Sequence, residues 1–191
     1  MILLWMAGGP SQLETFDPKP GTDNGGPTKS IKTSVPGIEI AEGWESVAKA
    51  MDSIAIIRSM TNEEGNHQRA AYQLHTGYAP SGSVQHPSLG CAIAKEIAPA
   101  DLDLPSVVSI GGARALGAGT GAGFLGVGYE PFNVANPGQP PQNVTKTVSS
   151  DRFQRRGKLL GQLEDDFASR GGQTVVENHR RIYEKASNLV L

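Results

Sequence analysis

The sequence predicts an α/β fold that closes on a helical hairpin, and three observations carry the expectation. The chain opens on a continuous apolar run, Met1–Ala7, that stops at Gly8-Gly9-Pro10-Ser11, as expected of a strand covered on both faces. Short β-branched runs then alternate with apolar faces of helical period, the alternation of a doubly wound sheet. From Phe153 onward, two amphipathic patterns stand on either side of Gly171-Gly172.

The elements follow in order. Thr15–Pro36 is too dense in Pro, Gly, Asp and Asn for helix or strand and reads as an ordered loop, with short extended pieces between Ile31 and Ile40. Ile40, Trp44, Val47, Ala48 and Met51 share one face and predict a helix over 41–51. Ser53–Arg58 is a β-branched run and predicts a strand. Helices are expected over 67–76, closed by Gly77, and over 87–97, opened by Pro87, and a strand over 104–110. Residues 111–148 are loop-rich. The hairpin occupies about 150–190: Phe153, Leu160, Leu163 and Phe167 form one buried face. Val176, Ile182, Tyr183, Ala186, Leu189 and Val190 form the other, behind a capping box of Thr174 and Glu177. A core strand starting at residue one, and an amphipathic pattern still running at YEKASNLVL, lead to the expectation that the native chain extends past both ends.

Composition excludes several function classes. With 17 Lys+Arg against 19 Asp+Glu the net charge is −2, so no strong attraction to nucleic acid or an anionic membrane is expected. The single Cys91 excludes an intramolecular disulfide framework and any multi-cysteine metal site. No apolar stretch is long enough to span a membrane, and the opening run lacks the basic lead of a signal peptide. Gly121, Gly123 and Gly126 match the dinucleotide fingerprint by spacing, but Val127–Pro131 follows where a helix must begin, so the segment reads as an ordered loop. Asn143-Val144-Thr145 is a glycosylation sequon on which nothing further is built.

Candidate site residues fall in two places. Polar residues immediately after a first strand face the ligand crevice of open α/β sheets, which singles out Ser11, Gln12, Glu14 and Asp17. Ser11 is either a nucleophile or the cap of the Gly-Gly-Pro-Ser turn, and Asp17 a metal ligand. The pattern of a nucleophile elbow is absent. His67, His75 and His86 lie within twenty residues, beside Asn66, Arg69 and Gln85. Imidazole serves as a metal ligand, a proton carrier or a structural group, and spacing alone leaves all three open. His179, in the last helix, reads as structural.

Taken in order, LLWMAGGPSQLETFDPKP, VPGIEIAEG, IRSMTNEEGNHQRAAYQLHTGYAP, QHPSLGCAIAKE, GAGFLG, YEPFNV and DRFQRRGKLLGQLE resemble the bacterial family called domain of unknown function 1501. That family is placed among the sulfatase-like members of the alkaline phosphatase superfamily. The resemblance implies a mixed sheet flanked by helices and a metal-assisted hydrolase of sulfate or phosphate esters, carried by small molecules or polymers. A divalent metal ion would polarise an ester oxygen. In superfamily members an acidic residue after the first strand binds the metal. Gly8-Gly9 stand there in this chain, which leaves Glu14 or Asp17 as substitutes. The segment ending His75-Thr76-Gly77 resembles the sulfatase segment ending Leu-Thr-Gly, which sets His67 near the nucleophile position. No Cys-x-Pro-Ser-Arg pattern is present, so a formylglycine mechanism has no support.

The assignments implied are Ser11, His67 and His75 as catalytic residues, Asn66, Arg69 and His86 as ester-binding residues, and Asp17 and Glu14 as metal ligands. Family members continue into motifs such as Gly-Trp-Asp-Thr-His and Gly-Arg-Asp-His-Trp, absent from these residues, and often carry a twin-arginine export signal. The resemblance therefore implies the N-terminal part of one larger, periplasmic or exported domain, inactive by itself. A non-catalytic binding or scaffold protein that keeps the fold is the alternative.

Overall fold

The computed structural model describes residues 1–99, 102, 104–111, 118–140 and 147–190, with side chains to Asn188. The sequon at Asn143, residues 112–117 of the glycine-rich segment, and the Leu189 and Val190 side chains of the predicted hairpin face lie outside the described residues. The architecture is mixed α/β. It divides into two compact units, Leu4–Glu64, and Gly65–Leu191 together with Met1–Leu3.

In the first unit, strands β1 (Ser30–Lys32) and β2 (Glu39–Ala41) pair antiparallel, with Ile31 opposite Ile40. Gly43 at φ 91° turns the chain from β2 into the short helix α1 (Glu45–Lys49), and a 3₁₀ turn, Met51–Ser53, follows. Ile40, Ala48 and Met51 are buried and packed by Phe16, Val35, Trp44 and Ile56. Burying a side chain such as Ile40 contributes roughly 1.5–3 kcal/mol.

Three expectations are corrected here. Met1–Ala7 forms no strand, and Ile2 and Leu4 are 87% and 85% exposed. An apolar run becomes a strand only beside a partner strand, and none pairs with it among the described residues. The helix over 41–51 shrinks to Glu45–Lys49, because Ile40 and Ala41 belong to β2 and Gly43 interrupts. Ser53–Arg58 forms no ladder, and only Ile56 packs on the core.

In the second unit, α2 (His67–Thr76) runs where predicted. Asn66 Oδ1 accepts from the Gln68 and Arg69 N–H groups, and Gly77 closes the helix at φ 80°. Helix α3 (Leu89–Ile97) starts two residues later than expected, because Ser88 rather than Pro87 caps it through the Cys91 N–H. Strand β3 (Val108–Ile110) falls within the predicted strand and pairs in parallel with β4 (Phe132–Val134). The second of these lies in a segment read as loop. The sheet is thus not doubly wound: the described strands form two separate pairs.

The hairpin is present as α4 (Ser150–Phe167) and α5 (Gln173–Val190), reversed at Gly171, φ 101°. Gly172 lies against the Phe167 ring, and a Cβ there would come within 2.3 Å of it. Because α5 already starts at Gln173, Thr174 lies inside the helix and does not cap it. Val176 is buried as expected, but Leu163, Phe167 and Tyr183 are exposed.

Candidate functional site

The candidates of the first unit all take part in local structure. Ser11 Oγ accepts from the Leu13 N–H at 3.2 Å and caps a 3₁₀ turn, Gln12–Glu14. Glu14 is exposed, and its carbonyl accepts from Trp44 Nε1 at 3.2 Å. Asp17 pairs with Lys19 at 2.9 Å and Arg58 at 3.6 Å. The same Arg58 donates to the Phe16 carbonyl at 2.8 Å and the Glu39 carbonyl at 2.6 Å, tying this loop to β2.

A carboxylate between two cations is a poor donor to a dication, which counts against Asp17 as a ligand of the metal ion that the resemblance implies; the Glu14 carboxylate stands exposed beside no such pair among the described residues. Among the described residues, no three His, Cys, Asp or Glu side chains stand close enough to hold a metal. A hollow of about 400 Å³ over β1 and α1, lined by Ile31, Thr33, Glu45 and Lys49 among others, contains none of the predicted residues.

In the second unit, Asn66 is the cap of α2, while His67 and Arg69 are exposed on its first turn. His75 is buried at 5% exposure in the last turn. His67 and His75 are eight positions apart on the helix, a rise of about 12 Å, so one metal ion cannot bridge them.

His86 is the candidate that lies on a cleft. The cleft holds about 340 Å³, between Tyr72 of α2, the Pro80–His86 loop and the backbone of Gly119, Gly121 and Gly123. The His86 ring stacks on Tyr78, with centroids 3.9 Å apart and planes 8° apart, and meets Phe124 edge-on at 6.0 Å. Its backbone N–H donates to the Tyr72 hydroxyl at 2.7 Å.

The glycine-rich segment is fixed against this loop. The Phe124 N–H donates to the Gln85 carbonyl and the Ser88 N–H to the Gly121 carbonyl, each at 2.9 Å. The Glu130 carboxylate accepts from the Ala122 N–H at 2.9 Å. A Cβ on Gly123, at φ 52°, would lie 2.4 Å from the Gln85 carbonyl oxygen, so only glycine permits the approach.

Behind the loop, Cys91 is fully buried. Burial raises its thiol above the usual range, the nearby Glu130 charge adds to this, and a bond from the Ser88 hydroxyl at 3.1 Å opposes it. The thiol is therefore not an activated nucleophile.

A carboxylate bonded by two side chains of the facing helix lies elsewhere, in the hairpin. Glu164 accepts from His179 Nδ1 at 2.5 Å and Arg180 Nε at 3.1 Å, while Arg180 also reaches Asp165 at 2.6 Å. The His179 bond first, and Arg180 next among the favourable contacts, hold the Glu164 carboxyl below its ordinary range against a smaller opposing effect of burial. The structural role read for His179 is what it has here.

Sequence reasoning missed Tyr72, Tyr78 and Glu130. Tyr72 and Glu130 stand 14 residues before His86 and 8 after Ala122, and no periodicity signals such pairs. The glycine density at 119–123 was the visible trace of the close approach.

No helix of the described residues is long and apolar enough to cross a membrane. No curated protein and no solved structure matches the chain. A family model described as "Protein of unknown function (DUF1501)" matches residues 1–190, and the chain belongs to that family.

Proposed function

We propose that this chain is the ester-binding part of a sulfatase-like or phosphatase-like hydrolase of the alkaline phosphatase superfamily, completed by metal-binding residues outside 1–191. The observation that supports it is the cleft beside His86, walled by the glycine segment and fixed by bonds to Gln85, Ser88 and Glu130. In this reading His86 holds the ester and supplies a ring nitrogen for hydrogen bonding. The Tyr72 hydroxyl oxygen, already accepting from the His86 N–H, keeps its proton to donate. The reaction class rests on the likeness of the segment ending His75-Thr76-Gly77 to the sulfatase segment ending Leu-Thr-Gly.

The test is turnover of aryl sulfate and aryl phosphate, with metal content, for this chain and a longer family member. The longer protein turns over with a bound divalent metal and this chain does not. Hydrolysis by this chain without added metal would overturn the reading.

A non-catalytic binding or scaffold protein is the second reading. It is favoured by Ser11, Asp17 and Asn66, each engaged in capping or ion-pairing the fold. Alanine at the equivalents of Asp17, His67 and His75 in the longer protein, with metal content and turnover both unchanged, supports this second reading over the first.

A further inference from the structure

We propose that the cleft beside His86 takes an uncharged, hydroxyl-bearing ring of monosaccharide size: the alcohol side of the ester in the reading above, on which this inference rests, and not its anionic group. The walls combine polar and apolar residues. Tyr72, Ser81 and Gln85 bring two hydroxyls and an amide, and Pro80 and Val84 bring apolar contact. A volume of about 340 Å³ is at the small end for ligand sites and suits one ring.

The electrostatics disfavour an anion. Sulfate and phosphate sites are commonly built on Arg or Lys, and the described wall residues include neither; in the glycine segment the Ala122 N–H is taken by Glu130 and the Phe124 N–H by the Gln85 carbonyl. Instead the Glu130 carboxylate lies directly behind the wall. It takes the Ala122 N–H, and one of its oxygens stands 3.0 Å from where a Gly121 Cβ would be. A fixed negative charge there repels an anion and costs a neutral ring nothing.

The experiment is an NMR titration of the whole 191-residue chain, following the amides of Ser81, Gln85, His86 and Gly121. Methyl glucoside, methyl galactoside, methyl mannoside and inorganic phosphate are the probes. At least one glycoside shifts these amides saturably, and phosphate does not. Gln85→Ala and Ser81→Ala each weaken that binding about five- to tenfold, the effect of one lost hydrogen bond. Both variants keep the backbone bond from Phe124 to the Gln85 carbonyl.

Saturable shifts by phosphate, no shift by any glycoside, or unweakened binding by both variants each overturn the proposal. The readout needs neither metal nor turnover. Glycoside binding beside an inactive longer protein therefore defeats only the hydrolase reading. Ester turnover beside phosphate in the cleft defeats only this one.

Discussion

The Glu164 carboxylate is 10% exposed and accepts charge-assisted bonds from both His179 and Arg180 of the facing helix. Because its folded pKa is depressed below the ordinary value of 4.5, its contribution to stability is complete above that pH. The contribution is lost as pH falls through the lowered folded value. Thermal melts from pH 6 to pH 3 should show this loss, and Glu164→Gln should melt a few degrees lower at pH 6 with a flatter slope on acidification.

Arg58 offers a second residue-scale test. Its guanidinium bonds two backbone carbonyls and stands beside Asp17, so Arg58→Ala should cost about 1–3 kcal/mol in urea unfolding of the Leu4–Glu64 unit. Cys91, fully buried with a raised thiol pKa, should react with a disulfide reagent only after denaturation.

At the scale of elements, glycines separate by what surrounds them. Gly157 and Gly161 sit inside α4, where a Cβ would meet nothing within 4 Å. Alanine at either should stabilise by about 0.5–1 kcal/mol through helix propensity. Gly123→Ala should destabilise by about 2–4 kcal/mol and open the loop, because positive φ and the Gln85 carbonyl both oppose a Cβ. Chemical denaturation of the three variants gives both signs.

Elements with local signals were legible for the same reason. The end of α2 follows from Gly77, and the reversal of the hairpin from Gly171-Gly172. Strand β4 has three residues, too few for any period to show, and the Met1–Ala7 run needs a partner strand to become one. The face of Leu163 and Phe167 was recognisable as amphipathic, but periodicity does not say what covers it.

For the whole molecule, the α/β class and the family were legible, the latter from motifs in order along the chain and matched over residues 1–190. The doubly wound sheet was not, since alternation predicts strands and helices without predicting which strands pair. The candidate cleft was legible only in part. His86 stands out by residue type, whereas Tyr72, Tyr78 and Glu130 join the cleft region only through tertiary contacts.

The most direct test of the central claim is steady-state hydrolysis of aryl sulfate and aryl phosphate by a longer family member. The metal-loaded protein should be compared with its variant at the equivalent of His86→Ala. Metal-dependent turnover is expected, with a kcat/KM at least about tenfold lower in the variant from the loss of a group that holds the ester. Unchanged kcat/KM in the variant, or no hydrolysis of either ester by the metal-loaded protein, would contradict it.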